Sequence, residues 1–344
     1  MIREKKNPAS PTTSRRRFLQ TLLVGGFGIA LGAGWKFLLP SVREYFGLRS
    51  ETFVAAVSDY DGDLASIVYA GMRELGVTNG DIQGKNILLK PNLVEPHRTA
   101  RHINTHPLVV RGAVEAFMRM GAARVVVAEG SGHYRDTHLV LEESGMIDVM
   151  REDKISFHDM NNSDWFTIPN QGGNTRLSSL TFSSALRQAD WIVSMPKLKT
   201  HRWTGVTLSM KNMFGVMPGM FYGWPKNVLH VEGIDRSIID INMTMKPHFA
   251  IVDGIIGMDG NGPIMGNPRQ SGVIVLGRNP VSVDATCSRI MGIDPYKVPH
   301  LKAARGMGPI RESYISQRGE AVSSVRTDFE LLDNIQAHRG LRWR

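Results

Sequence analysis

A chain of 344 residues, 42% of them hydrophobic, is long and apolar enough to bury the core of one large domain or two small ones. Its formal charge of +9 would suit a nucleic-acid binder, but residues 1–50 hold nine Lys/Arg against two Asp/Glu, so the rest is close to neutral and nucleic acid is not expected as a partner. The single cysteine, Cys287, excludes an intramolecular disulfide, a self-ligated iron–sulfur cluster and a zinc site built on several thiolates.

The first element is a leader. Ser14-Arg15-Arg16-Arg17-Phe18-Leu19-Gln20 matches a twin-arginine export signal, and residues 18–35 follow without a charge. Gly25, Gly26, Gly28, Gly32 and Gly34 keep this stretch only moderately hydrophobic, as a signal requires. In a buried helix each would cost about 1 kcal/mol relative to alanine. No small-x-small cleavage site follows Leu39-Pro40, and Lys36 interrupts the apolar run, so a cleaved leader and a retained anchor are equally open. The reading is a signal or anchor over 1–45, an α/β domain over 51–327 and a C-terminal tail over 328–344. The twin-arginine machinery would carry the folded protein to the periplasm or the outer face of the inner membrane.

In the domain, Ile87-Leu88-Leu89-Lys90 reads as a strand, Pro107–Met120 as a helix with proline in its first turn, Gly121 as its stop, and Arg124–Ala128 as the next strand. This is a βαβ unit. Further apolar strands are expected at Trp191–Met195, Phe249–Asp253 and Gly272–Leu276, giving an α/β fold with a mainly parallel sheet and flanking helices. Polar residues recur where these strands end, and the carboxyl ends of parallel strands open into one crevice, so a ligand site is expected there.

The candidates follow in chain order. Lys90 and Asn92 end the first strand. His102, Thr105 and His106 precede the helix, with His106 as an acid–base or metal-ligating group. Glu129-Gly130-Ser131-Gly132 is either an ordinary turn with Ser131 capping the next helix or a set of backbone amides that receives an anion. Lys197, Lys199 and His201 alternate, which puts all three on one face of an extended segment, with Thr207, Lys211 and Asn212 downstream. Three such groups crowded together either call for an anionic partner or lie along a solvated edge that tolerates them, and the flanking apolar Met195, Leu198, Val206 and Met213 favour an enclosed setting. The segment 217–227, with Phe221, Tyr222 and Trp224 between glycines and prolines, reads as a lid, a docking surface or core packing. Residues 253–263 read as a glycine-rich loop, either a structural Ω-loop or one that lets backbone approach a ligand, offering Asp253, Asp259, Gly260 and Asn261. Asn279-Pro280 opens a helix in which Asp284 either faces the site or supports the first turn, and Cys287 reads as a small core residue. His106, His201 and Asp259 are the candidate metal ligands.

Lys90-Pro-Asn92, Thr105-His-Pro107, Pro196-Lys-Leu-Lys-Thr-His201, Met210-Lys-Asn-Met-Phe-Gly215, the 253–263 segment and Asn279-Pro-Val-Ser-Val-Asp284 together resemble the family of domain of unknown function 362, over roughly Phe53 to Met307. The family has no generally assigned reaction. Some members carry a fused ferredoxin-like cysteine module, which this chain lacks, so the resemblance places any redox role with a membrane redox partner or a bound cofactor. A more distant similarity to the nickel-pincer lactate racemases, in architecture and Lys/His usage, keeps a metal ion or metal-containing cofactor among the expectations. Two functions follow. One is an enzyme acting on a small anionic ligand or metal-bound cofactor, with Lys197 and Lys199 holding charge, His201 and His106 moving protons or ligating metal, and Asp253 and Asp259 as bases or metal ligands. The other is a non-catalytic binding or assembly protein of a membrane complex.

Overall fold

The Val, Ile and Leu runs expected as strands lie in one sheet of ten strands. The structure, a computed structural model, describes residues 49–132 and 136–343, so the twin-arginine leader lies outside the described residues. Among the described residues no helix is long and apolar enough to cross a membrane.

The main elements in chain order are β1 (Ser50–Ala56), α1 (Leu64–Glu74), β2 (Asn86–Pro91), α2 (Pro107–Arg119), β3 (Arg124–Glu129), β4 (Ser156–Asp159), β5 (Trp165–Pro169), β6 (Ser179–Ser183), β7 (Trp191–Met195), β8 (Lys197–His201) and β9 (Gly205–Thr207). There follow α3 (Ser209–Asn212), α4 (Asn227–Val231), α5 (Ile234–Thr244), β10 (Phe249–Asp259), β11 (Asn267–Gly277), α6 (Pro280–Ile290) and β12 (Ile315–Gly319). Strand order in the large sheet is β12-β1-β11-β10-β7-β2-β3-β4, with β8 and β9 appended beyond β10, while β5 and β6 form a separate hairpin. The pairs from β10 through β4 are parallel. The strands on the other side of β10 include two antiparallel contacts, β1 with β11 and β10 with β11.

Alternation puts successive side chains on opposite faces, and both faces are covered. Ile87, Leu89, Ile251, Ile274 and Leu276 enter one core, and Leu88, Ala250, Val252, Val273 and Val275 the other. The chain runs outward from β2 to β3 and β4, then returns to place β7 on the other side of β2. That reversal opens a crevice at the carboxyl ends of β2 and β7.

One expectation is corrected. Asp253–Asp259 is the second half of β10, paired with β11 through a bulge between Gly254 and Ile256, rather than a loop. Its glycines serve close approach. A Cβ on Gly254 would stand 2.8 Å from Val273 and 2.9 Å from Leu198, and one on Gly257 would stand 2.6 Å from the Leu198 carbonyl oxygen. Residues after Asp328 belong to the same core: Phe329 is fully buried against Gly257, and the Glu330 amide donates to Asp259 at 3.0 Å.

Candidate functional site

Two ionic knots form at the strand ends, and they are separate. At the end of β2, the Lys90 ammonium donates to Glu129 Oε2 at 2.7 Å, to Asn212 Oδ1 at 3.0 Å and to the Pro91 carbonyl at 2.7 Å. Glu129, from the end of β3, also accepts the Leu93 amide through Oε2 and the Gly130 amide through Oε1. Asn212 on α3 donates to the Lys90 carbonyl and to Ser194 of β7, and accepts from Asn92. Burial presses the Lys90 pKa down, and the Glu129 carboxylate opposes that shift. The backbone of Gly215 lies directly on the pair, since a Cβ there would fall 2.1 Å from Glu129 and 2.5 Å from Lys90.

The second knot joins β8, β10 and the start of α2. Asp253 accepts Lys197 at 2.6 Å and the His106 amide at 2.8 Å on Oδ2, and the Tyr60 hydroxyl at 3.1 Å on Oδ1. The Tyr60 hydroxyl in turn accepts from Lys197 and from the Ile256 amide, and its ring stacks on His106 at 3.7 Å. Desolvation holds His106 down at about 4, so its ring is neutral and its Nδ1 accepts from Leu108 at the first turn of α2. Asp253, Lys197 and His106 are thus committed to one another.

Beside the first knot lies a cleft of ≈ 90 Å³ at the carboxyl ends of β2, β3 and β8. That volume holds a few water molecules or a small anion, at about 30 Å³ per water. Its wall includes Lys90, Asn92, Glu129, Gly130, Lys199, His201, Thr207, Lys211, Asn212 and Lys226. Lys199 and Thr207 are direct partners in the β8–β9 pairing, which explains why both face it. Among the described residues Glu129 is the one carboxylate in the lining, and Lys90 already holds it. Lys199, Lys211 and Lys226 make no ion pair among the described residues. Lys199 donates to the Ile103 carbonyl at 2.9 Å and the Pro263 carbonyl at 3.2 Å, Lys226 donates to Asn161 at 2.8 Å, and Lys211 stands 4.3 Å from the centre of the Phe214 ring.

Desolvation and mutual repulsion act on all three. Burial, then the Lys90 charge, lowers Lys211 to about 8, and burial lowers Lys226 to about 7 against the pull of Glu129. Lys199 falls well below its usual range through burial, then Lys197 and Lys211. His201 is likewise held well below its ordinary value by burial and by Lys211 and Lys199. Its Nδ1 accepts the Trp203 and Thr204 amides, which leaves the ring proton on Nε2. The side-chain oxygens of Asn92 and Thr207 are buried in this wall without a hydrogen-bond partner among the described residues.

The remaining sequence candidates lie elsewhere. Thr105 ties Asn92 to β7 through the Met195 carbonyl. The Gly260 carbonyl accepts from Thr200, and Asn261 lies in the same β10–β11 turn, which lends the cleft Pro263 instead. Asp284 neither faces the cleft nor supports its own helix: it accepts the Ser209 amide at 2.7 Å and the Met210 amide at 2.9 Å, capping α3, and burial raises it to about 7. Asp136, not Ser131, caps the helix after Glu129. Cys287 is fully buried in α6. His106, His201 and Asp259 occupy three different surroundings, and no group of three His, Cys, Asp or Glu among the described residues could hold a metal. The segment 217–227 divides: Tyr222 is buried with its hydroxyl accepting the Thr181 amide, Met220 and Phe221 are exposed, and Pro225 and Lys226 wall the cleft. Lys226, His230 and Trp203 were not legible as site residues, because the local pattern gives each only a loop or short-helix setting.

Comparison with known proteins agrees with the motif reading. A thylakoid-associated protein of Synechocystis sp. is 26% identical over 268 residues, which cover 76% of this chain and 78% of its own. A crystal structure of a Thermotoga maritima protein aligns at 15% identity with a TM-score of 0.38, over 66% of this chain and 59% of that one, so the chain spans under two thirds of its length. The model of the family described as Domain of unknown function (DUF362) matches residues 87–289. The chain therefore belongs to the DUF362 family.

Proposed function

We propose that the cleft binds a small, multiply charged anion and that the protein is an enzyme acting on it. The observation that carries this reading is the excess of amines: Lys199, Lys211 and Lys226 line one small cleft whose single described carboxylate is already paired, and Lys211 and Lys226 are the two that carry charge to a ligand. Burying amines together is unfavourable unless something negative joins them. Lys211 and Lys226 hold the charge, the unpartnered Asn92 and Thr207 oxygens meet a hydroxyl or a protonated oxygen of the ligand, and neutral His201 exchanges protons through Nε2. Isothermal titration with sulfate, inorganic phosphate and pyrophosphate tests the binding. Each of Lys211→Met and Lys226→Met is expected to weaken it by roughly 10–100-fold, the worth of a charge-assisted hydrogen bond. Binding that both variants leave unchanged overturns the reading.

The protein acts after twin-arginine export, at the outer face of the inner membrane or in the periplasm, a reading that rests on the leader motif. A second reading, a non-catalytic assembly protein of a membrane complex, is favoured by the name of the thylakoid-associated relative. It is also favoured by the exposed aromatic surface in which Trp165 packs on Phe221, their ring centres 6.1 Å apart. Tight retention of an anion with no turnover would support that reading over the enzyme.

A further inference from the structure

We propose that Lys199 is a nucleophilic amine that condenses with the carbonyl group of a small anionic oxo compound held in the cleft. This deepens the anion-binding reading and rests on it. The contacts match what a neutral amine, with two N–H bonds and one lone pair, can make. The two nearest acceptors to Lys199 Nζ are backbone carbonyls, Ile103 O at 2.9 Å and Pro263 O at 3.2 Å, and each takes one N–H. With both N–H bonds so engaged the free base keeps its lone pair available, in a side chain that lines the cleft. Lys90 and Lys197, by contrast, each donate to a carboxylate and are held as cations. Lys199 has no such partner among the described residues, and burial together with the neighbouring lysine charges favours its free base.

The surrounding groups fit the reaction. Lys211 and Lys226 hold the anionic end of the substrate, and Lys211, near 8, is a proton donor at neutral pH. The Lys199 lone pair attacks the carbonyl carbon and the C=O π electrons move to oxygen, which takes a proton from Lys211. The oxygen then leaves as water with one of the two amine protons, giving a protonated imine whose remaining N–H stays on a backbone carbonyl. No oxidant or reductant is consumed.

The test is reductive trapping on the full chain. The protein is incubated at pH 6.5 with pyruvate, reduced with borohydride, and mapped by peptide mass spectrometry. A single adduct at Lys199 is expected, forming about tenfold or more faster than at surface lysines, because each unit of lowered pKa gives tenfold more free amine. It is expected to be suppressed by pyrophosphate and lost in Lys199→Arg. Adducts confined to other lysines of the wild-type protein, with pyrophosphate still binding by titration, overturn the imine while leaving the anion site standing. Absence of pyrophosphate binding together with an unmodified Lys199 overturns both. The wild-type map decides the question even if Lys199→Arg fails to fold.

Discussion

At Lys211 and Lys226 the ammonium groups sit close enough to lose their protons near neutrality, at about 8 and about 7, because they share a desolvated wall and Lys90 repels both. An anion favours their charged forms and raises both values, so binding takes up protons. Affinity for sulfate, whose charge is constant in this range, is expected to be full below about pH 6.5 and to fall as pH rises through 7 to 9. Titrations in two buffers of different ionisation enthalpy would read the proton uptake directly, and a flat profile would show that these lysines do not touch the anion. The Lys90–Glu129 pair behaves differently, since each partner neutralises the other out of water. Glu129→Gln leaves a buried ammonium unpaired and is expected to cost about 3–5 kcal/mol in chemical denaturation. Lys90→Met with Glu129→Gln together should recover part of that loss. In sequence Lys90 stands out as a polar residue after an apolar strand, Lys211 only as a residue downstream of one, and Lys226 not at all. What separates a paired lysine from an unpaired one is a carboxylate brought in from a distant strand.

Among the elements, α3 shows how a site residue is positioned from afar. It presents Lys211 to the cleft and Asn212 to Lys90, but its own N-cap, Leu208, has no side-chain oxygen to satisfy the first amides. Asp284 of α6 supplies the acceptor. Asp284→Ala is expected to destabilise the fold by about 1–3 kcal/mol, the penalty for leaving buried amides unpaired, and to weaken anion binding through loss of Lys211 placement. A thermal melt beside a sulfate titration would separate the two effects. The β10 strand makes the same point with glycine. A methyl at Gly257 would press on the Leu198 carbonyl of β8, next to Lys199, so Gly257→Ala is expected to lower the melting temperature and to disturb the cleft despite lying outside its lining. The sequence marked Gly254 and Gly257 as flexible because glycine carries two meanings, positive φ and close approach. Only the neighbouring strand tells them apart.

For the whole molecule, the leader predicts folded export. Replacing Arg15 and Arg16 with Lys is expected to retain the protein in the cytoplasm, as fractionation and immunoblotting would show, whereas unchanged export would place the signal elsewhere. The α/β architecture was legible because β-branched runs, the proline-opened helix at Pro107 and its stop at Gly121 are local signals, set by backbone sterics within a few residues. The crevice at the strand ends was legible too, since it follows from parallel connectivity. Tertiary structure alone decided which ionisable groups share that crevice. Lys197 and Lys199 are two residues apart on the same strand, yet one is tied to Asp253 and Tyr60 and the other opens onto the cleft with Thr207. Lys226, from a loop with no site signature, stands with Lys211 in the same wall. A side chain's partner, and hence its charge, is fixed by strand register and burial between residues far apart in the chain, which no local pattern encodes.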